Sequence, residues 1–265
     1  MDIGLAGARI LVTGGGSNVG RGIVHGFARE GARVAICDID GEQAERVRGE
    51  ALEIGAAEAI VVAEDLTAEG AGKRAVGRAI DSWGGIDVLV NNAGWSAGEF
   101  FAKDTDRAVW QKTVEINLFT AIACTQAALT PMREAGSGAI VFISSDAAFG
   151  EIRQGIYGST KAGLIAMART VAKEHGRHGI RSNVVCPGLV LPESDAAVGT
   201  SSLWAVGRDN VFNAKQIESL ENGIPLRRLT TAGDVADAVV FVSSERVARQ
   251  ITGQVLSVSG GYSMP

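Results

Sequence analysis

The sequence predicts an α/β fold class: a single doubly wound domain built on a parallel sheet of about seven strands, with helices on both faces. Seven short apolar runs of strand type recur along the chain, and helical patterns separate most of them. Strands that alternate with helices form crossover units, which produce a parallel sheet covered on both sides. No linker or low-complexity segment divides the 265 residues, so we expect one domain over residues 1–265.

The individual elements follow in chain order. The predicted strands are 8–13, 33–37, 59–63, 87–91, 139–144, 181–186 and 254–259. The predicted helices are 23–31, 41–54, 68–83, 106–130, 156–176 and 232–244. Residues 189–229 break the alternation, mixing Gly, Ser and Asn with the apolar residues Leu203, Trp204 and Phe212. A segment of that length inside a compact domain is typically functional, and we expect a lid over the substrate.

Composition and charge exclude several function classes. The net charge is −5 and no basic block is present, which argues against a nucleic-acid partner. Charged residues or glycines interrupt each apolar run before the roughly 18 residues that a membrane span needs. The N-terminus has no basic segment followed by an apolar stretch, so we expect no secretory signal.

The cysteines and histidines predict neither disulfides nor a metal site. Cys37, Cys124 and Cys186 are odd in number, far apart and set in apolar surroundings, as buried free thiols of a reducing cytoplasm are. His175 and His178 are three apart at a predicted helix end with no third ligand apparent. We therefore expect a cytoplasmic protein without a metal.

A glycine-rich turn, VTGGGSNVGRG (12–22), lies between the first strand and the first helix. Free N–H groups at a helix N-terminus bind phosphate, and glycines let the backbone approach it closely. Asn18 interrupts the glycines, but asparagine is the side-chain-bearing residue that best tolerates a left-handed backbone. The turn therefore predicts a pyrophosphate cradle. Its candidate residues are Gly14, Ser17, Asn18, Val19 and Gly20.

Polar residues after the next strands favour NAD as the cofactor. Asp38 ends the second strand, where a carboxylate accepts hydrogen bonds from both ribose hydroxyls and repels a 2′-phosphate. Arg21, the only basic candidate in the turn for an NADP phosphate, lies on its helix side. Asp65 follows the third strand, within reach of an adenine amino group, and NNAG (91–94) follows the fourth, near a ribose.

A tyrosine and a lysine carry the predicted chemistry. Tyr157 and Lys161 are four residues apart at the start of a helical pattern, so both side chains project from one face. A free tyrosine has a pKa near 10, and a neighbouring ammonium favours the phenolate and lowers that pKa. A serine hydroxyl beside the pair would steady charge that develops on a substrate oxygen. This arrangement predicts a proton exchanger behind a nucleotide site.

The chain resembles the short-chain dehydrogenase/reductase family over essentially its whole length. The matching motifs are TGGGSNVG, CDID, DLT (65–67), NNAG, the IN of VEINLF (116–117), ISS, YGSTK, RSNVVCPG and ITGQVLSVSGG. The resemblance implies a Rossmann-type domain and a catalytic tetrad of Asn117, Ser145, Tyr157 and Lys161. In it Tyr157 is the general acid/base, Lys161 also binds the nicotinamide ribose, and Asn117 holds a water that continues the proton path.

The resemblance also assigns further cofactor contacts and an assembly state. The segment PG followed by Leu189 and Val190 resembles the one whose backbone meets the nicotinamide carboxamide. The C-terminal segment resembles one at a dyad interface, which makes a homotetramer the expected assembly. The remaining cofactor candidates are Leu66, Asn91, Ala93, Gly94, Pro187, Gly188 and Val190.

The chain departs from the family pattern at three positions. Asn18 replaces the second glycine of the turn. The usual serine-to-tyrosine separation of thirteen residues selects Ser144, whereas the Ser-Asp-Ala motif selects Ser145 with a shorter following loop. We prefer Ser145, because loops shorten more easily than strand ends shift register. Pro192 stands where a threonine or serine is usual, which leaves the backbone or Ser194 to support the nicotinamide.

The substrate pocket is less well defined by sequence. Trp95 directly follows NNAG and Trp204 lies in the predicted lid, and both are candidates for its wall. Arg153 and Gln154 lie in the loop before Tyr157, and an arginine there points to a carboxylate, sulfonate or phosphate on the substrate. Ser144 is a further candidate for a substrate contact.

The sequence thus predicts an NAD-dependent oxidoreductase that interconverts a secondary alcohol and a ketone, acting on a small molecule. One alternative is an NADPH-dependent ketoreductase of the 3-oxoacyl-thioester type, which Asp38 argues against. The other is a non-catalytic nucleotide-sensing protein, which we would expect to lack Tyr157 or Lys161.

Overall fold

A computed structural model describes residues 2–194, 197–199, 202, 204–205 and 212–265. Its centre is a sheet of seven parallel strands in the order β3-β2-β1-β4-β5-β6-β7. The strands are β1 (Arg9–Thr13), β2 (Arg33–Asp38), β3 (Glu58–Ala63), β4 (Val88–Asn91), β5 (Gly138–Ile143), β6 (Ile180–Pro187) and β7 (Val255–Val258). The predicted fold class and all seven predicted strands are confirmed.

Nine α-helices lie in the described part of the chain. They are α1 (Asn18–Arg29), α2 (Gly41–Ile54), α3 (Ala71–Trp83), α4 (Arg107–Val114), α5 (Thr120–Ala135), α6 (Gly155–His175), α7 (Ala214–Gly223), α8 (Ala232–Ser243) and α9 (Glu245–Ala248). Shorter helical turns occupy Glu115–Phe119, Asp146–Phe149 and Gly176–His178.

Two helical predictions need correction. The helix predicted over 106–130 is divided by a π-helical turn, Glu115–Phe119, into α4 and α5. Helix α7 lies inside the segment predicted as an irregular lid, and a capping box at Asn213 and Gln216 starts it. Residues 195–196, 200–201, 203 and 206–211 of that segment, Leu203 among them, lie outside the described residues.

Both faces of the central strands are buried: alternate residues of a strand point to opposite sides, and helices cover each side. Ile10 and Val12 of β1 pack with α1 and α8, whereas Leu11 packs on the side of α3, α5 and α6. Helices α1 and α8 approach closely: a Cβ on Gly22 would lie 2.7 Å from the Cβ of Ala232. The apolar strands and the small residues at this helix contact allow the helices to pack closely on the sheet.

The strand order reverses between β1 and β4, since β2 and β3 continue to one side and β5 to β7 to the other. In doubly wound sheets such a reversal opens a crevice at the carboxyl ends of the strands, where ligands bind. The loops that carry the predicted site residues leave this edge. Within the described residues, no helix is both long and apolar enough to cross a membrane.

Candidate active site

The glycine turn between β1 and α1 has the backbone geometry of a phosphate cradle. Asn18 has φ 41°, in the left-handed region that its side chain tolerates, and its Nδ2 donates a hydrogen bond to the Val190 carbonyl at 3.2 Å. Gly20 allows the tightest approach: a Cβ there would lie 1.9 Å from the Gly14 carbonyl oxygen. The asparagine thus preserves the turn and ties it to the segment after β6.

Asp38 lies beside this turn at the end of β2. One carboxylate oxygen accepts from the Gly16 N–H at 2.9 Å and the other from the Asp40 N–H at 3.0 Å. Burial raises the pKa of this carboxyl group, although those two backbone hydrogen bonds oppose the rise. Arg21 is occupied elsewhere, with Glu50 at 2.7 Å, so no basic group of the turn compensates the Asp38 charge.

Asn92 supports the turn, a role that the sequence analysis missed. Its Nδ2 donates to the carbonyls of Thr13 and Gly14, each at 2.9 Å. The Thr13 hydroxyl accepts in turn from the N–H groups of Asn92 and Ala93. The sequence signal for this role was the second asparagine of NNAG. A polar side chain that follows one strand can reach the loop that follows the neighbouring strand.

One large cavity of about 1110 Å³ collects nearly all the predicted residues. The predicted cofactor residues that line it are Gly14, Ser17, Asn18, Val19, Gly20, Asp38, Asp65, Leu66, Ala93, Gly94, Tyr157, Lys161, Pro187, Gly188 and Val190. The predicted catalytic serine and substrate residues there are Ser144, Ser145, Trp95, Arg153, Gln154 and Trp204. Asn91 and Asn117 are the two predicted residues outside this lining.

Asn91 and Asp65 have different surroundings. The Asn91 side chain is buried under α5, where its Nδ2 donates to the Thr125 hydroxyl at 3.0 Å. Asp65 is exposed at the other end of the cavity, and hydrogen bonds from the Thr67 hydroxyl and N–H lower the pKa of its carboxyl group. Asp65 is therefore an ionised group at the cavity edge, whereas the Asn91 side chain faces the core.

Tyr157 and Lys161 project from the first turns of α6 into the cavity. The Lys161 ammonium lies 5.5 Å from the centre of the Tyr157 ring and donates to the Ile143 carbonyl at 2.9 Å. Burial raises the pKa of Tyr157 to about 12 and lowers the pKa of Lys161 to about 8. The expected depression of the tyrosine pKa is wrong for the protein alone, because desolvation outweighs the opposing effect of the Ser145 hydroxyl.

The two candidate serines differ in what their hydroxyls contact. Ser144 is buried, and its hydroxyl donates to the Lys161 carbonyl at 2.8 Å. Ser145 caps the short helical turn Asp146–Phe149 and hydrogen-bonds the Tyr157 side chain, which partly offsets the rise of the tyrosine pKa. The geometry therefore favours Ser145 as the serine beside the proton exchanger.

Asn117 occupies the π-helical turn and is buried. Its Nδ2 donates to the carbonyls of Trp95 and Thr113, at 2.7 and 2.8 Å, and its Oδ1 accepts from the Trp95 N–H at 3.0 Å. A Cβ on Gly94 would lie 2.9 Å from this Oδ1 and 3.3 Å from the Lys161 ammonium. The Asn117 side chain thus fixes the backbone that follows NNAG, next to Lys161.

Asp146 is a buried carboxyl group that the sequence analysis did not single out. Neither carboxylate oxygen has a hydrogen-bond partner of good geometry, although the nearby Ser259 hydroxyl favours its ionised form. Burial and the charge of Glu151 raise the pKa of Asp146 to about 6. Nothing in its sequence context showed that this side chain is buried.

Comparison with known proteins decides the family. The family model described as enoyl-(acyl carrier protein) reductase matches residues 14–263. The L-rhamnose 1-dehydrogenase (NAD(P)(+)) of Azotobacter vinelandii is 34% identical over 257 residues, 95% of each chain. The chain belongs to the short-chain dehydrogenase/reductase family.

Other members of the family show similar coverage. The 3-oxoacyl-[acyl-carrier-protein] reductase of Aquifex aeolicus is 33% identical, over 98% of this chain and 99% of the relative. A solved 7 alpha-hydroxysteroid dehydrogenase, complexed with NADH and 7-oxo glycochenodeoxycholic acid, superposes with a TM-score of 0.86 at 31% identity, covering 98% and 96% of the two chains. This short-chain dehydrogenase/reductase is an oxidoreductase that interconverts a secondary alcohol and a ketone with a nicotinamide cofactor.

Proposed function

We propose that this short-chain dehydrogenase/reductase uses NAD to oxidise a secondary alcohol, or to reduce the matching ketone, with Tyr157 as the general acid/base. The observation that carries the proposal is the single cavity lined by Tyr157, Lys161 and Ser145 at one end and by the glycine turn and Asp38 at the other. The residues present fit a dinucleotide, since Gly20 leaves room where any Cβ would collide with the turn.

Asp38 supports NAD over NADP. Its carboxylate stands at the end of β2 beside the Gly16 N–H, where a 2′-phosphate would meet a negative charge. Arg21 hydrogen-bonds Glu50 and lies 3.7 Å from Glu193, so it does not turn toward Asp38. The A. vinelandii relative is named for both cofactors, and its name leaves the choice open.

The proton chemistry follows from the order of contacts in the cavity. A nicotinamide held in this cavity would supply the hydride chemistry, as the acceptor in oxidation and the donor in reduction. Tyr157 takes the hydroxyl proton in oxidation and returns a proton to the ketone in reduction, while the Ser145 hydroxyl holds the substrate oxygen. Lys161, charged at neutral pH, binds the nicotinamide ribose and favours the phenolate as it forms.

Asn117 continues the proton path only indirectly in this proposal. All three of its side-chain hydrogen bonds go to the backbone of Trp95 and Thr113. A water on the path from Lys161 would therefore rest on the backbone of the π-helical turn, whose shape Asn117 maintains. Asn91 supports the ribose side through the backbone after β4 rather than through its side chain.

The remaining features of the proposal concern the whole chain. We propose a single domain over residues 1–265, in which the segment near 189–229 covers the substrate. Trp204 and Phe212 of that segment line the cavity, with ring centres 6.3 Å apart.

By family resemblance the assembly is a homotetramer. The three buried free cysteines support a cytoplasmic location.

A panel of secondary alcohols, each assayed with NAD⁺ and with NADP⁺, tests this proposal. We expect turnover with NAD⁺ and a kcat/KM at least about tenfold lower with NADP⁺. Asp38→Ser should narrow that difference, because it removes the charge opposite the 2′-phosphate. Faster turnover of a 3-oxoacyl thioester with NADPH would instead support the alternative ketoreductase, which the A. aeolicus relative exemplifies.

A further inference from the structure

We propose that Arg153 and Lys112 bind an anionic group, a carboxylate in the simplest case, on the substrate of this enzyme. Both side chains line the cavity that holds Tyr157. The inference rests on the proposed function, because it assigns the substrate class of the same site. It is carried by the backbone of Arg153, by the aromatic rings beneath both cations and by the partners of the nearby acids.

Arg153 is held in a conformation that only a few non-glycine residues adopt. Its φ is 64°, in the left-handed region, which costs free energy that surrounding contacts must repay. The guanidinium Nη2 donates to the Gly98 carbonyl at 3.1 Å, and the group lies 5.4 Å from the centre of the Phe100 ring. One hydrogen bond leaves most of the guanidinium donors of Arg153 for another acceptor.

Lys112 lies over the second aromatic platform. Its ammonium is 4.2 Å from the centre of the Trp95 ring, within the range of a cation–π interaction. The Trp95 backbone is fixed on both sides by Asn117, which accepts from its N–H and donates to its carbonyl. An aromatic ring positions an ammonium without neutralising its charge, so Lys112 remains available to an anion.

Glu99, next to the Gly98 and Phe100 that Arg153 contacts, and Glu151, two residues before Arg153, both accept hydrogen bonds from other groups. Glu99 accepts from the Phe100 N–H at 2.7 Å. Glu151 accepts from the Ile152 N–H and from the Tyr262 hydroxyl, at 2.8 and 2.7 Å. Among residues that the structure describes, the ion pairs involve neither Arg153 nor Lys112. Although the net charge is −5, these two cations at the cavity have no ion-pair partner within the described part of the chain.

Both cations contact the segment after β4: Lys112 lies over Trp95, and Arg153 lies beside Gly98 and Phe100. The Ser96 hydroxyl donates to the Gln154 side chain at 2.8 Å, and Arg153 holds Gly98, so the loop before α6 is tied to the segment after β4. Helix α6, which carries Tyr157, begins at Gly155, and Trp95 follows Gly94 beside Lys161. Because these segments adjoin the ones that carry Tyr157 and Lys161, the substrate we propose is a hydroxy acid rather than a simple alcohol.

An acid and its methyl ester form the matched pair that tests the proposal. We suggest 3-hydroxycyclohexane-1-carboxylate and its methyl ester, since the ester keeps the ring and removes the charge. The wild type should favour the acid by about tenfold in kcat/KM, as two partly exposed ion pairs allow. The preference should weaken between about 0.01 M and about 0.15 M salt, where the screening length falls from about 30 Å to about 8 Å.

Variants then assign the preference to these side chains. The acid-to-ester ratio should fall to near one in the double variant Arg153→Gln/Lys112→Gln. Lys103→Gln is the matched control: Lys103 also lies over the Phe100 ring, at 5.9 Å, but does not line the cavity. It should keep the wild-type ratio. A wild-type ratio near one, or a full preference in the double variant, would overturn the proposal.

A binding measurement separates this inference from the proposed function. In the NAD⁺ complex of Tyr157→Phe, calorimetry should show the acid binding more tightly than the ester. Binding of the acid without turnover in the wild type contradicts the proposed function and leaves the anion site standing. Turnover of acid and ester at equal rates contradicts the anion site alone.

Discussion

At the scale of single residues, burial sets the protonation of the two central groups. Desolvation raises the pKa of Tyr157 to about 12 and lowers the pKa of Lys161 to about 8, so both hold protons near neutral pH. A neutral phenol is ready to donate to a ketone, and ammonium charge is available beside it. Tyr157 is therefore a proton donor in the protein alone, and alcohol oxidation requires that its phenolate be stabilised, a role that falls to the neighbouring Lys161 ammonium.

The shifted pKa of Lys161 predicts a pH dependence for ketone reduction. The kcat/KM for the ketone should be level below about pH 8 and fall above it, as Lys161 loses its ammonium charge. Lys161→Arg keeps the positive charge at all accessible pH values. The kcat/KM of this variant should be lower than that of the wild type, but it should not fall above about pH 8. A wild-type profile that stays level to about pH 10 would contradict the assignment.

Asp146 predicts a pH-dependent change in stability. Its pKa in the folded protein, about 6, lies above the ordinary value of 3.8, so ionisation disfavours the folded state. This cost is complete above about pH 6 and fades toward pH 4. Asp146→Asn should therefore raise the free energy of unfolding at pH 8 by about 1 kcal/mol, the relief of charge less the cost of an unpaired amide.

Urea unfolding at pH 8 and pH 4 measures this difference. The gain of Asp146→Asn should be much smaller at pH 4, where the wild-type carboxyl group is protonated in the folded state and the cost of its ionisation is largely relieved. Asp81→Asn, at an exposed position of α3, is the control and should change the free energy of unfolding little at either pH. An equal gain for Asp146→Asn at both pH values would show that its origin is not ionisation.

The residues of the site were largely predictable from the sequence, but their environments were not. Tyr157, Lys161, Asp38 and the glycine turn follow from spacing and residue type alone. The pKa directions of Tyr157 and Lys161, and the burial of Asp146, depend on neighbours that are distant in sequence. The choice between Ser144 and Ser145 likewise depends on where the two adjacent hydroxyl groups point. The number of residues between each serine and Tyr157 does not show this.

At the scale of elements, the β1–α1 turn depends on close backbone approach. Gly20→Ala would place a Cβ 1.9 Å from the Gly14 carbonyl oxygen, so the turn must deform. We expect NAD⁺ to bind at least about tenfold more weakly, because the N–H groups of the cradle lose their alignment. Fluorescence titration with NADH measures the loss.

Gly49→Ala in α2 is the matched control for this substitution. A Cβ at Gly49 meets nothing within 4 Å, so the change should leave cofactor binding intact and raise the free energy of unfolding by about 0.5–1 kcal/mol. Equal binding of NADH by the Gly20→Ala and Gly49→Ala variants would contradict the role assigned to the turn.

Elements whose existence depends on tertiary contacts were the least predictable. The apolar period of 106–130 continues through the π-helical turn, and only the buried hydrogen bonds of Asn117 reveal the interruption. Helix α7 has no buried residue, and Ile217 and Leu220 are its only large apolar residues, so its sequence gives a weak signal of a helix packed against a core. The central strands, in contrast, are buried on both faces and appear in the sequence as apolar runs.

At the scale of the whole molecule, the order of strands brings distant motifs together. Parallel strands place Asp38, the NNAG segment, the serines and Pro187 at one edge of the sheet, although they are spread over more than half the chain. That convergence follows from the alternation of strands and helices and was predictable. The shape of the substrate side was not, because it depends on how the loops near Trp95, Arg153 and α7 meet.

The most direct test of the account compares wild type and Tyr157→Phe with a secondary alcohol and NAD⁺. Both proteins should bind NADH, since the variant removes a single hydroxyl group and leaves the glycine turn, Asp38 and Lys161 in place. Reduced nicotinamide, followed by its absorbance, should form in the wild type and fall by at least about a thousandfold in the variant, which lacks the proton acceptor. Retention of wild-type turnover by Tyr157→Phe would contradict the central claim that this tyrosine exchanges the substrate proton.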